Sequence, residues 1–139
     1  MVANLERNGF GHVRAERKAV SDKTGTIRFR MAEKTQSLDL TGHISCERPE
    51  EDGGCIEVES ITLDEFCATH PRPDVIKCDV EGAELKALLG ADNLLRTWHP
   101  VILCELHSAA LHDSVIEYLQ GLGYGCRVVD QNHILAGFE

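Results

Sequence analysis

The sequence predicts an α/β domain in three layers, with a mainly parallel sheet and an antiparallel hairpin at one edge. Three observations lead there. Two apolar runs, residues 75–80 and 101–106, each end in ionisable side chains and each pass into residues at helical spacing. Two further short runs, 124–129 and 133–138, are joined by Asp130-Gln131-Asn132 and read as a closing hairpin. Gly121, Gly123 and Gly125 fall after a helical stretch and before a strand, so they mark a helix end and not a nucleotide loop.

Taken in order, residues 2–9 have helical spacing with Val2 and Leu5 on one side, and Asn8-Gly9 ends that helix. Residues 12–20 read as a polar strand closing at Ala19-Val20-Ser21, followed by a turn at Asp22-Lys23-Thr24-Gly25. Residues 26–31 set Ile27, Phe29 and Met31 against Thr26, Arg28 and Arg30, the alternation of a half-exposed strand. Residues 32–54 are polar and rich in Glu, Ser, Thr and Gly, which predicts a loop insertion. A strand returns at 55–60. Thr62 and Glu65 then fit a capping box, Thr62 capping the helix amides and Glu65 reaching back. That helix runs from Leu63 to about His70, where Pro71 and Pro73 stop it.

The central strand follows. Val75, Ile76, Cys78 and Val80 favour a strand covered on both faces. Lys77 interrupts it, its stem buried and its amine reaching a carboxylate. Asp79 and Glu81 sit where the strand stops, and Gly82 lets the backbone turn. From Glu84 the chain carries Leu85, Leu88, Leu89 and Leu95 at helical spacing, with an interruption at Gly90 and Asp92-Asn93 and a brief resumption near Leu94. A second buried strand, 101–106, delivers Glu105 and His107 at its end, and a helix beginning at His112 or Asp113 runs to Leu122.

A chain of 139 residues, 42% apolar, suggests one domain with a real core. Its net charge of −9 argues against nucleic acid or an anionic membrane surface as partner. No apolar run approaches the ~20 residues that span a bilayer, and MVANLERN lacks a signal-peptide core. The chain therefore reads as soluble and cytoplasmic. Its cysteines show no C-x-x-C spacing. Cys78, Cys104 and Cys126 lie in apolar runs as buried, reduced thiols. A disulfide between Cys46 and Cys55 finds little support in a chain of cytosolic character.

The carboxyl ends of strands in open α/β sheets are where ligands bind. With residues 75–80 and 101–106 as neighbours, Asp79, Glu81, Glu105 and His107 converge there. The residues around them carry a resemblance. The runs IKCDVEGAELKALLGA and HPVILCELH, preceded in order by ERN, AVSDKTG and ITLDEF, are similar to segments of the FkbM-type methyltransferases across nearly the whole chain. The resemblance implies a Rossmann-like class I fold, S-adenosylmethionine as cofactor, and methyl transfer to a hydroxyl oxygen of a small molecule such as a sugar, a polyketide or another metabolite. It also implies that Ala19-Val20-Ser21 ends the third strand of the family's sheet near the adenine. Asp79 then lies at the amino-acid end of the cofactor or at the acceptor hydroxyl. Residues 32–54 fall where the family varies and often covers the substrate.

Such a transfer needs the methyl in line with the acceptor oxygen, a base or a metal to deal with the hydroxyl proton, and water kept out. His107 suits the base, since an unperturbed imidazole titrates near neutrality. Carboxylates with one imidazole also suit magnesium, manganese or zinc, but their separation along the chain matches no recognised ligand spacing, and no metal is expected. Capping of the following helix by Glu81, and pairing of Glu105 with a Lys or Arg, are the structural uses of those groups. His12, His43, His70, His99 and His133 look scattered, as surface or packing residues.

The family's domain begins with a strand, a Gly-rich loop, a helix and an acid-ended second strand, which residues 1–139 do not contain. The expectation is a truncated domain that alone binds the cofactor poorly or not at all. Its strand at 73–80 becomes an open edge, unless the strand at 12–20 shifts beside it or another chain, such as a second copy, pairs with it. Two other readings stay open: a non-catalytic remnant acting as an interaction or dimerisation module, and a metal-dependent hydrolase built on the carboxylates.

Overall fold

The computed structural model describes residues 2–30 and 55–138. In chain order the elements are α1 (Val2–Arg7), β1 (Ala19–Val20), β2 (Gly25–Arg30), β3 (Cys55–Ile61), α2 (Leu63–Thr69), β4 (Val75–Cys78), α3 (Glu84–Leu89), α4 (Asp92–Trp98), β5 (Val101–Glu105), α5 (Ala109–Gly121), β6 (Tyr124–Val128) and β7 (His133–Phe138). The expected loop at 32–54, Met31, Cys46 and the Cys55 side chain lie outside what is described.

The strands form two sheets, ordered β1-β3-β2 and β4-β5-β7-β6. The expectation of a mainly parallel sheet does not hold. Among the described residues only β1 with β3 and β4 with β5 run parallel, while β2–β3, β5–β7 and β6–β7 are antiparallel. The cause is connection length. A crossover through α3 and α4 lets β5 lie parallel to β4, whereas the short connection of β6 to β7 returns the chain antiparallel. The C-terminal hairpin is as expected, and β7 inserts between β5 and β6.

The strand expected over 12–20 reduces to Ala19–Val20. The stretch before it is dominated by His12, Arg14, Glu16, Arg17 and Lys18, and Val13 is exposed. It has no apolar face to bury, so only the last two residues pair, with Ser60 and Ile61.

The core lies between the β4-β5-β7-β6 sheet and its helices. Ile102 and Cys104 of β5, Ile134 and Ala136 of β7, Leu88 of α3, Leu95 of α4, and Val115 and Leu119 of α5 are all buried. Each large apolar side chain so buried contributes about 1.5–3 kcal/mol. β4 is the open edge expected of a truncated domain, and not the covered strand that its apolar run suggests. It pairs only with β5 among the described residues, and Val75 is 62% exposed, while Cys78 alone is buried. Val75 and its register partner Val101, also exposed, lie on one face of the sheet, and there that face stays in water. The strand at 19–20 has not shifted beside β4.

The helices are held by caps drawn from distant residues. Thr62 Oγ1 accepts from Glu65 N at 3.1 Å, as the capping box requires. Glu65 does not reach back itself. Thr24 Oγ1 takes the Thr62 amide at 3.2 Å and donates to Glu65 at 2.5 Å, so β2's turn completes the box. α4 has no side-chain cap of its own; Asp64 of α2 accepts from Asn93 N (3.0 Å) and Leu94 N (2.7 Å) instead. α4 extends from Asp92 to Trp98, further than the brief resumption expected. α5 starts at Ala109, earlier than His112, because Ser108 caps it by accepting from Leu111 N at 3.2 Å.

Candidate active site

β4 and β5 are parallel neighbours in register from Val75 opposite Val101 to Cys78 opposite Cys104. They therefore end side by side. After Cys78 the chain passes through Asp79 and Val80 into a turn whose Glu81 (φ 50) and Gly82 (φ 97) are left-handed. For Glu81 that conformation costs about 1 kcal/mol, a strain of the kind found at functional sites. Ala83 follows, and Glu84 opens α3.

Glu84 is fully buried. Its Oε1 accepts from Gly82 N at 3.0 Å and Val80 N at 3.3 Å, clasping the turn it follows. The same oxygen lies 2.9 Å from His107 Nδ1, while Oε2 is buried with no hydrogen-bond partner. On the other side of the ring, His107 Nε2 is 3.2 Å from Glu81 Oε2 and 4.0 Å from Asp79 Oδ1. The imidazole thus bridges a buried carboxylate and two partly exposed ones.

The charges continue along the strand ends. Lys77 Nζ sits 2.7 Å from Asp79 and 3.7 Å from Glu105, so its amine reaches the carboxylates as expected, but its side chain is exposed and not buried along the strand. Glu105 meets His133 Nε2 at 3.3 Å, and His133 Nδ1 meets Asp130 at 2.8 Å. The hydrogen bond from Lys77 holds the Asp79 carboxyl below its ordinary range, against the opposing effect of burial and with help from the Lys77 charge. Asp79 in turn raises the Lys77 amine. The Asp130 hydrogen bond raises the His133 imidazole. Below the cluster, contact with the Cys78 thiol and then burial push the Cys104 thiol far up, which keeps Cys104 inert as a nucleophile. Cys67, Cys78, Cys104 and Cys126 are free thiols.

The structure therefore unites Asp79, Glu81 and His107, and engages Glu105 one step away with Lys77 and His133. Ala19, Val20 and Ser21 stand apart. Ser21 is buried with its carbonyl against Gly90, at the opposite end of α3 from Glu84, about 9 Å along a helix of six residues. Glu84 was not singled out by sequence, although Ala87 and Leu88 at the following helical spacings share its buried face. An acid on an apolar helix face was the available signal. His133 is no scattered surface residue; the register that sets Glu105 opposite it brings it to the site.

Two open clefts border His107. One of about 490 Å³ is lined by Glu81, Gly82, Ser108, Leu111 and Ser114. The other, about 330 Å³, is lined by Ser108, His112, Asp113, Gln131 and Asn132. A separate cleft beside α1 has Glu6 as its sole ionisable lining residue and offers little for chemistry. Asp79, Glu81 and His107 can each offer a ligand atom within 4.8 Å of the others, a spacing that a divalent cation can bridge. Among the described residues no helix is long and apolar enough to cross a membrane.

Parallel strands that end in an acid–imidazole cluster, backed by helices, define an α/β protein with a candidate site at its strand ends. The family model for the methyltransferase FkbM domain matches residues 4–126, and the chain belongs to that family. A methyltransferase FkbM from Methylobacillus flagellatus KT, known from its crystal structure, has a similar fold, with a TM-score of 0.64 at 17% sequence identity. The likeness covers 99% of this chain and 32% of that one, so the chain spans about a third of its length. No curated protein matches the sequence.

Proposed function

We propose that the cluster at the ends of β4 and β5 is the acceptor side of an S-adenosylmethionine-dependent transfer of methyl to a hydroxyl oxygen of a small molecule. The observation that carries this reading is His107, held on one nitrogen by a buried carboxylate and turned with the other toward the open acidic rim. Membership of the family supports methyl transfer in general; the donor and the hydroxyl acceptor are our reading. The three-layered Rossmann-like arrangement is likewise read as belonging to the longer domain that the crystallographic neighbour represents.

The donor set suits the cofactor by charge. Asp79 and Glu81 are carboxylates on a partly exposed rim, complementary to the ammonium and sulfonium centres of S-adenosylmethionine. Ala19, Val20 and Ser21 are not used, because Ser21 lies at the far end of α3, and affinity for residues 1–139 is accordingly weak. The cofactor supplies an electrophilic methyl. The chain's own residues manage the acceptor. Its hydroxyl takes the place of Glu81 on His107 Nε2 and donates its hydrogen there. With a methyl that the cofactor would supply, its neutral thioether being the leaving group, the hydroxyl proton would pass to His107 Nε2. The resulting imidazolium faces Glu84 and Glu81 and later returns the proton to water. General-base help of this kind accelerates a reaction about 10²–10⁴-fold. Glu105 keeps Lys77 in place beside Asp79 and does not touch the acceptor.

Calorimetric titration of S-adenosylmethionine and S-adenosylhomocysteine into the folded chain tests the cofactor side. Weak binding is expected, weakened further by Asp79→Ala and Glu81→Gln. Affinity unchanged by both substitutions would sink this placement. A second reading keeps the reaction but puts a divalent cation on Asp79, Glu81 and His107, where it would lower the pKa of the acceptor hydroxyl. Loss of activity on chelation, restored by manganese or magnesium, would favour it.

A further inference from the structure

We infer that Glu84 is a positioning residue that keeps the His107 proton on Nδ1, so that Nε2 is the nitrogen that gives up and takes back a proton at the rim. The inference rests on reading His107 as the proton acceptor of the proposed transfer, and it adds a residue that the sequence motif left as the start of a helix.

The geometry is unequal on the two sides of the ring. Glu84 is completely buried, and its Oε1 is fixed by two backbone amides, Gly82 at 3.0 Å and Val80 at 3.3 Å, as well as by Nδ1 at 2.9 Å. A carboxylate accepts and does not donate, so Nδ1 carries the hydrogen of that contact. Glu81 is about a third exposed at 3.2 Å from Nε2, where water screens its charge. A charge-assisted hydrogen bond inside the protein outlasts one at the rim. When the ring loses one of its two protons, the one retained is therefore on Nδ1. Free imidazole side chains in water favour the opposite form, with hydrogen on Nε2. That form would turn an N–H toward the acceptor and leave no lone pair to receive a proton.

Glu84 has a structural task as well, clasping the turn that carries Asp79 and Glu81. Loss of stability alone cannot separate the two roles, but the position of a proton can. Residues 1–139 labelled with nitrogen-15 in the histidine rings would be followed by two-bond nitrogen–proton spectra as pH is raised until His107 is neutral. The wild type is expected to keep its hydrogen on Nδ1, by roughly tenfold or more over Nε2 given one charged partner. Glu84→Gln, whose amide oxygen still accepts, is expected to retain that form. Glu84→Ala is expected to revert to hydrogen on Nε2.

Wild-type His107 carrying its hydrogen on Nε2 would overturn the inference. So would a folded Glu84→Ala protein that keeps it on Nδ1. If Glu84→Ala does not fold, the wild-type spectrum decides alone. No cofactor or acceptor is present in this measurement, so its failure is distinct from failure of the base reading. The latter would show as full methyl transfer by His107→Gln.

Discussion

Replacing Gly90 by alanine gives a direct reading of how β1 is docked on the helices. A Cβ built at Gly90 would lie 2.1 Å from the Ser21 carbonyl oxygen and 3.0 Å from its carbon, with Asp22 Cα at 3.4 Å. All three are backbone atoms, so no side chain can swing away. Gly90 has φ −71, a conformation open to alanine, and the effect is therefore steric. Overpacking costs about 1–3 kcal/mol, and reduced freedom of the unfolded chain returns about 0.4–1 kcal/mol. A net loss of about 1–2 kcal/mol, roughly 3–8 °C in Tm, is expected by calorimetry or urea unfolding. Gly121→Ala is the control. It ends α5 with no atom within 4 Å of its Cβ, and should gain up to about 0.5–1 kcal/mol from helix propensity. A Gly90→Ala protein as stable as the wild type would mean that Ser21 does not rest on the end of α3. The separation of Ala19-Val20-Ser21 from the acidic turn would then lose its basis.

Asp64→Ala removes acceptors from two α4 amides and should cost about 0.5–2 kcal/mol, measured by urea unfolding. Thr24→Val breaks the relay between Thr62 N and Glu65 and should cost about 1 kcal/mol, a loss that the same experiment reads. The His133 imidazole is raised by Asp130. Its contribution is complete below the unfolded histidine range, about 6.5, and is lost as pH rises through the higher folded value. Unfolding at pH 6 and pH 8 should show the wild type losing stability over that interval relative to His133→Gln, and equal slopes would count against the pair. Asp79 runs the other way. Lowered by Lys77, it contributes above the unfolded aspartate range and loses that contribution as pH falls through its folded value. Lys77→Met should flatten the acid limb of the stability curve.

Elements with local signals were legible in the sequence. Thr62 before Leu63, the prolines after His70, and the apolar alternation around Ile102 and Cys104 each reflect neighbours close along the chain. What escaped depends on partners far apart. The apolar run at β4 suggested a covered strand, yet burial of Val75 needs a layer packed over its face of the sheet, which the run itself does not encode. Ser108 caps α5 with a side chain no different in kind from Ser114, so the helix start moved. At the site, strand ends pointed to Asp79, Glu81 and His107 because parallel strands finish together. Glu84 escaped because a glutamate at a helix start is unremarkable until its burial is known. Glu105 is the last residue of β5, set opposite His133 of β7, and meets Lys77 and His133, whereas His107 lies beyond the strand and turns to Glu81 and Glu84.

The most direct test of the account is transfer of isotope-labelled methyl from S-adenosylmethionine, supplied at millimolar concentration to offset weak binding. A panel of sugar, polyketide and other small hydroxyl acceptors would be offered to wild type and His107→Gln. The account predicts label on a hydroxyl oxygen with the wild type and a rate about 100-fold lower or less with His107→Gln. Transfer by His107→Gln at the wild-type rate would contradict it, as would a folded wild type that labels no acceptor.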